Sequence, residues 1–366
     1  MNKLSIVITT YNKQNDVLKN LYELANADML LHITDKIVVV DQSESGHEIL
    51  VGPQSAIETD SKLRILSEKL QVVSQPNLGG SGGYSRGMYE SLKSDNVGYV
   101  LLLDDDAVIN SASIINTYNE SVLISKSGKP TIIGGKMLPL DINKTEQAIE
   151  ANLNRKIWVV QGESTDLKKV DFAGWWMCMI PREIIEKNGF AMPYFIKWDD
   201  VEYSLRAKAA GFGVRMLDDV YVRHETWEAK GNKYSWVSHY HERNKFITAL
   251  IYSDYKRGRY AICFSLLAFI KSALITGPRK SAIAIRLSAL QFVTDQRFSD
   301  TMNLHSYHKN LMQMSKNPPK ISRLRAIFSA ISVHTKLYVK WPKLREYYRD
   351  MQKSLVGIDF WTLQIK

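Results

Sequence analysis

The 366-residue chain carries 45% hydrophobic side chains, enough apolar material for about two domains with large cores, which excludes a disordered protein. Its formal charge of +10 is lopsided: from Asp254 onward 20 Lys and Arg face 6 Asp and Glu, a net +14 that leaves −4 for the residues before it. The two cysteines, Cys178 and Cys263, have neither metal-ligand nor redox spacing, which excludes a disulfide framework and fits a reducing compartment.

The first residues run directly into a strand pattern, without the charged, apolar and small-residue regions of a secretory signal, so a cytoplasmic protein is expected. The β-branched runs Leu4 to Thr9, Ile37 to Asp41, Leu70 to Ser74 and Tyr99 to Leu103 predict strands of a parallel sheet. Helical patterns at Asp16 to Ala25, Gly82 to Ser91 and Ser111 to Ser125 complete the alternation of a doubly wound α/β domain. Ligands in such sheets bind beyond the carboxyl ends of the strands. Polar or glycine-rich segments stand at those ends: Thr10 to Lys13, Asp41 to Ser45, Pro76 to Gly83 and Asp104 to Asp106. Further strands are expected at Thr131 to Lys136, Trp158 to Gln161, Phe172 to Ile180 and Val220 to Arg223, with a polar loop over Asn143 to Asn154. Helices are expected over Val201 to Ala210 and Trp236 to Tyr252.

From Asp254 the pattern turns helix-rich, and the stops Gly277-Pro278 and Pro318-Pro319 cut it into three pieces. A boundary near residue 254 therefore separates an α/β domain, residues 1–253, from a basic helical region, residues 254–366. The apolar stretch Tyr260 to Ile275 is about 16 residues long and holds Lys271, short of the roughly 20 needed to span a bilayer. With Ile321 to Tyr348 it mixes large apolar side chains with Lys and Arg, the composition of helices that lie on an anionic membrane surface. No nucleic-acid motif accompanies the charge. Packing of this region on the α/β core or on a second copy of the chain is the alternative.

Asp104, Asp105 and Asp106 follow directly on an apolar strand, so their charges emerge at the ligand edge of the sheet. Alternation points Asp104 and Asp106 the same way, where they could share one hard divalent ion, Mg²⁺ or Mn²⁺; by itself the triplet is equally a solvated acidic turn. The run Asn77-Leu78-Gly79-Gly80-Ser81-Gly82-Gly83 precedes a helix, so its backbone can approach phosphate oxygens closely. No Gly-Lys-Ser/Thr follows, which excludes a P-loop. Asp199-Asp200 stand at the start of a helix, where one carboxylate could simply cap it. Of the adjacent Trp175 and Trp176 in an expected strand, alternation sends at most one into a one-sided core and leaves the other to stack on a sugar ring. Lys197, His241 and Arg243 are candidate cations for a diphosphate whose charge grows as a glycosidic bond breaks, or ordinary surface charges.

A strand ending in three carboxylates, in a chain that opens with a strand and Thr9-Thr10-Tyr11-Asn12, resembles the GT-A fold inverting glycosyltransferases of the family-two type, which implies an α/β domain with a mixed, mostly parallel sheet followed by a helical C-terminal region. Phe172-Ala173-Gly174-Trp175-Trp176, then FIKWDDVEYSLRA from Phe195, then His224 and finally HERN at His241 to Asn244 are similar to the galactofuranosyltransferases of galactan synthesis, over about residues 4 to 250. That resemblance implies that Thr9, Thr10, Tyr11 and Asp41 hold a uracil base, and that Asn77, Gly79, Gly80, Asp104 and Asp105 contact the donor's diphosphate side with Lys197, His241 and Arg243. It implies that His224 joins Asp104 and Asp106 on the metal, that Asp200 is the general base, and that Trp175, Trp176, Trp198 and Asp199 face the acceptor. Lys13 stands where some relatives have arginine, so a bidentate phosphate contact is lost there.

Polymerising relatives carry a β-rich domain ahead of the catalytic one, and here the catalytic pattern starts within ten residues, so a short product is expected. The expected reaction is transfer of galactofuranose from UDP-galactofuranose to a hydroxyl of a polyprenyl-diphosphate-linked glycan, on the inner face of a bacterial cell membrane. Rhamnosyl or galactopyranosyl transfer on the same fold is the alternative, and a non-catalytic membrane scaffold is a second one.

Overall fold

The computed structural model describes residues 2–47, 49, 55–141, 152–161, 166–224, 236–275 and 280–365. Its strands are β1 (Lys3–Thr10), β2 (Thr34–Asp41), β3 (Leu70–Ser74), β4 (Val97–Asp104), β5 (Thr131–Pro139), β6 (Asn152–Asn154), β7 (Val159–Gln161), β8 (Met177–Pro181) and β9 (Gly213–His224). The helices of the first part are α1 (Gln14–Ala25), α2 (Asp28–Ile33), α3 (Ala56–Thr59), α4 (Gly79–Leu92), α5 (Ser111–Lys126), α6 (Arg182–Asn188), α7 (Asp199–Ala209) and α8 (Trp236–Tyr252). They are followed by α9 (Tyr255–Ile275), α10 (Lys280–Thr294), α11 (Leu304–Lys316), α12 (Arg323–Leu355) and α13 (Ile358–Ile365).

Seven strands form one sheet in the order β3-β2-β1-β4-β8-β5-β9. β3, β2, β1 and β4 run parallel, β8 is antiparallel to both of its neighbours, and β5 and β9 are parallel. This is the mixed, mostly parallel sheet expected of a GT-A domain, followed by the expected helical region. Each central strand is a continuous apolar run because both faces are covered. Val7, Val38, Val100 and Leu102 pack on one side and Ile6, Ile8, Val39 and Leu101 on the other. Register brings the carboxyl ends level: Thr10 pairs with Asp41, Asp41 with Ser74, and Thr9 with Asp104.

Several expectations are corrected. The strand expected over Phe172 to Ile180 is confined to β8, and Trp175 and Trp176 sit in the turn before it. The strand at the end of the Trp158 to Gln161 run is β7, which pairs with β6 in a separate two-stranded ribbon. β6 therefore replaces the end of the loop expected at Asn143 to Asn154; residues 142–151 lie outside the described ones. The glycine run forms the first turns of α4, not a loop before it. Close packing explains this: a Cβ at Gly83 would lie 1.7 Å from Thr9 Oγ1, and one at Gly87 2.0 Å from Val7 Cγ1. Glycine lets α4 lie directly on β1 at the cost of helix propensity.

Among the described residues past 254 there are five helices and a 3₁₀ turn, Arg297–Thr301, where three pieces were expected. Asn303 starts α11 by accepting the Ser306 N–H at 2.9 Å, a cap that follows no proline or glycine. Pro318-Pro319 does separate α11 from α12, while the stop at Gly277-Pro278 lies outside the described residues. α9 begins at Tyr255 and so reaches 21 residues, long and apolar enough to cross a bilayer by length and composition, which removes the length argument against a crossing. One face of it, with Gly258, Ala261, Ile262, Ser265, Phe269 and Ala273, is nevertheless buried in the protein.

Candidate active site

The acidic triplet leaves β4 at the middle of the sheet, and β9 delivers His224 to the same place. A backbone bridge joins them: Val108 N–H donates to Arg223 O at 2.7 Å and Arg223 N–H donates to Val108 O at 3.1 Å. His224 Nε2 consequently lies 2.8 Å from Asp106 Oδ1 and 3.6 Å from Asp104 Oδ2. The potential ligand atoms of Asp104, Asp106 and His224 all lie within 4.8 Å of one another. Burial works against a charged imidazole, but the hydrogen bonds and charges of the two carboxylates outweigh it and push the His224 pKa up to about 10. Two carboxylate oxygens and an imidazole nitrogen converging in this way fit a divalent cation, which would displace that proton.

Asp105 points elsewhere. Its Oδ2 accepts the Thr10 hydroxyl at 2.8 Å and the Tyr11 N–H at 3.4 Å. Burial pushes its carboxyl up to about 7, the Thr10 bond opposing and Asp104 and Asp106 reinforcing the shift. It ties the end of β1 to the end of β4.

Tyr84, one residue past the glycine run, joins this cluster to the second half of the chain. Its hydroxyl donates to Asp104 and lies 3.2 Å from Trp175 O, and its ring meets Trp175 edge-on at 5.1 Å. Burial and the Asp104 charge hold the phenol well above its ordinary pKa, so it remains a donor. On the same helix the Ser81 hydroxyl donates to Asp199 Oδ2 at 3.0 Å. Burial pushes Asp199 up to about 6, with Ser81 and Lys197 opposing and Asp104 adding to it. The first two turns of α4 thus link the metal-type cluster to the start of α7.

Trp198 precedes α7 in a left-handed conformation, φ 71°, without a side-chain cap, so neither aspartate is the cap residue. Asp200, half-buried in the first turn, accepts the Val201 N–H at 2.8 Å. Trp198 is buried and its Nε1 donates to His241 Nδ1 at 3.4 Å. The protein packed beside His241 and the positive charges of Lys245, Lys197 and Arg286 shift its imidazole below the ordinary range, while the side chain itself is exposed.

The residues at the carboxyl ends of β1 and β2 form a tight network. Gln42 Nε2 donates to Thr9 Oγ1 at 3.2 Å and Gly79 O at 3.0 Å, while its Oε1 accepts from Leu78 N–H and Gln75 Nε2. Asp41 accepts the backbone N–H groups of Ser43 at 3.0 Å and Ile49 at 2.6 Å. Tyr11 is exposed, its hydroxyl donating to Glu44. Lys13 pairs with Asp16 at 3.6 Å, and Asn77 Oδ1 accepts the Gly79 N–H at 3.0 Å.

Two expectations fail on burial. Trp175 and Trp176 are both enclosed, at 4% and 6% exposure. They do face opposite sides, one in each core cluster, but both sides are covered, and Trp176 Nε1 donates to Gly135 O at 2.8 Å. Neither is an open stacking platform in this conformation. Arg243 is fully buried among Tyr240, Phe292, Phe298 and Tyr307. Its Nη2 donates to Tyr194 O at 2.8 Å, so it braces the site from behind. Tyr84, Gln42 and Ser81 were missed: their partners Asp104, Thr9 and Asp199 lie 20 or more residues away along the chain, so no local pattern marks them until the fold brings the pairs together.

A family model, glycosyltransferase-like family 2, matches residues 2–242. The chain belongs to that family. Among curated relatives, this family-two chain is 32% identical over 276 residues to the galactofuranosyltransferase GlfT2 of Mycolicibacterium smegmatis, covering 69% of this chain and 41% of that one. It is 30% identical over 275 residues to GlfT2 of Mycobacterium tuberculosis, covering 69% and 42%. The chain therefore spans about two fifths of the length of these relatives. Among solved structures, S. aureus TarS 1-349 aligns at a TM-score of 0.49 and 15% identity, over 95% of this chain and 92% of that one.

Proposed function

We propose that this family-two protein transfers galactofuranose from UDP-galactofuranose to a hydroxyl of a lipid-linked glycan, with inversion at the anomeric carbon. The observation that carries the reading is the convergence of Asp104, Asp106 and His224 within 4.8 Å, linked through Tyr84 and Ser81 to the start of α7. The galactofuranosyl donor is supported by the relatives that match 69% of this chain, and the uridine by the level ends of β1 and β2.

Asp104, Asp106 and His224 would hold a divalent cation, Mn²⁺ being favoured over Mg²⁺ by the imidazole. When bound, the cation supplies electrostatic stabilisation to the departing diphosphate. Tyr84 keeps Asp104 oriented by donating to it. Asp200 accepts the proton of the acceptor hydroxyl as that oxygen bonds to the anomeric carbon. In the same step the bond from this carbon to the diphosphate oxygen breaks, and UDP leaves. Lys197 lies in the segment beside Asp199 and lends positive charge there. The enclosed indoles of Trp175 and Trp198 keep this side dry, which favours transfer over donor hydrolysis.

For a lipid-linked acceptor the enzyme would work at an anionic membrane surface. α9 and α12 support this, because both expose large apolar side chains, among them Phe264, Leu267, Leu324 and Phe328, within segments that hold Lys and Arg but no acidic residue from Tyr255 to Ile275 or from Arg323 to Arg345. The deciding experiment incubates the protein and Mn²⁺ with UDP-galactofuranose, UDP-galactopyranose or dTDP-rhamnose and a short lipid-linked acceptor, and reads product mass and linkage. Transfer from either of the other donors in preference to UDP-galactofuranose would replace the donor assignment; no turnover with any of them would favour the scaffold.

A further inference from the structure

Between Tyr194 and Asp199 the backbone takes a course that ordinary side chains resist. Phe195, Lys197 and Trp198 have φ values of 71°, 68° and 71°, three non-glycine residues in the left-handed region within four positions. Such conformations persist only where surrounding structure imposes them, and they gather at functional segments. Here the strained segment leads straight into Asp199 and Asp200.

The restraint comes from α8. Asn244 Nδ2 lies 3.1 Å from Tyr194 O, 2.9 Å from Ile196 O and 2.8 Å from Lys197 O. One amide group thus gathers three carbonyls of the strained turn. Its orientation is set by Arg243, whose Nε donates to Asn244 Oδ1 at 2.8 Å while Nη2 donates to Tyr194 O at 2.8 Å. Both side chains are fully buried, and the guanidinium is boxed by aromatic rings, so neither can relax into water. From the other side α4 closes on the same turn: Ser81 N–H donates to Phe195 O at 3.2 Å, and a Cβ on Gly79 would lie 2.1 Å from that oxygen.

We propose that Arg243 and Asn244 are positioning residues that hold the strained 195–198 turn and thereby aim Asp200 at the acceptor and Asp199 at Ser81. The proposal rests on the reading of Asp200 as the base. Neither side chain touches substrate; each acts on the reaction through the turn. Misplacing a reacting group by about 1 Å can cost on the order of 100-fold in rate.

Asn244→Asp tests this at constant shape, because it turns an amide donor into oxygens facing three carbonyls; Arg243→Lys keeps the charge and loses the two-pronged bond. Transfer is measured per folded molecule, with the folded fraction taken from near-UV circular dichroism, alongside hydrogen exchange by mass spectrometry. The expected result is a kcat lowered by roughly 10- to 100-fold with the donor KM within about threefold, and faster exchange confined to peptides covering 195–201. A kcat per folded molecule within about twofold of the parent, or a loss that follows the folded fraction alone, overturns the proposal. If Asn244→Asp does not fold, Arg243→Lys is judged by the same two readouts. If the parent transfers no sugar at all, the functional reading fails, and exchange alone decides whether the clamp exists: unchanged exchange at 195–201 refutes it.

Discussion

At the scale of single residues the site is crowded with negative charge that the fold holds in place. Asp105 and Asp199 have pKa values pushed up to about 7 and about 6. Each therefore penalises the fold when ionised, a cost fully present above those values and relieved as pH falls toward the ordinary carboxylate range. His224 is raised from 6.5 to about 10, so its contribution is complete below 6.5 and lost as pH rises through about 10. All three act in the same direction. Between about pH 6 and about pH 7 the buried His239, His308 and His334, held below the ordinary imidazole range, act the other way, so the metal-free protein should lose thermal stability from about pH 7.5 to about pH 9, and Mn²⁺ should raise Tm more at about pH 8 than at about pH 6, where the proton on His224 competes. Scanning fluorimetry with and without chelator checks both; a Tm that rises with pH above about pH 7.5 in chelator would count against the arrangement. The base assignment has its own test: Asp200→Asn should lower kcat on the order of 10²- to 10⁴-fold with UDP binding retained, and a loss below about tenfold would move the role elsewhere.

At the scale of elements, the four parallel strands β1 to β4 and the chemistry at their ends were legible in the sequence, because the doubly covered β1, β2 and β4 are continuous apolar runs and Asp104 to Asp106 interrupt one abruptly. What burial decides was not legible. Whether Trp175, Trp176 or Arg243 is open or enclosed depends on neighbours distant in the chain: Tyr84 of α4 and Tyr203 of α7 for Trp175, Gly135 of β5 for Trp176, and Phe292 of α10 and Tyr307 of α11 for Arg243. The glycine run of α4 misled for a related reason: glycine signals a loop locally, yet here it serves the approach of a helix to β1. The tail elements carry the next prediction. Leu267 and Phe328 are 66% and 68% exposed, on helix faces opposite to the buried ones. Leu267→Glu and Phe328→Glu should leave Tm within about 2 °C, since such surface changes are nearly neutral. They should reduce flotation with phosphatidylglycerol-containing vesicles, which should also weaken in high salt while phosphatidylcholine vesicles bind little. Unaltered flotation of the double variant would remove α9 and α12 as the docking face.

At the scale of the whole molecule, the division near residue 254 follows charge better than it follows packing. One hydrophobic cluster runs without a break from Val7 and Trp175 through Tyr240 to Leu337, Trp341 and Trp361. Polar contacts cross it as well. Phe190 N–H donates to Val356 O at 2.8 Å and Trp361 Nε1 to Ala191 O at 3.0 Å. Arg349 Nε donates to Ile251 O at 3.0 Å. Glu202, fully buried on α7, takes its partners from Arg206 on its own helix, from Tyr252 and from Gln352 on α12. His305 also reaches Asn77 O, at 3.3 Å, beside the first turn of α4. A chain ending at Ser253 would expose the apolar face of α8 and leave Glu202 without Gln352, and exposing a core of this kind removes the stability of a marginal fold. The 1–253 fragment should therefore be insoluble or lack a cooperative near-UV transition, and adding residues 254–366 as a separate chain should restore some of it only if the two associate. A soluble 1–253 fragment that unfolds cooperatively and binds UDP would show instead that the tail is a detachable domain, with its basic surface carried as an appendage and not as part of the site's foundation.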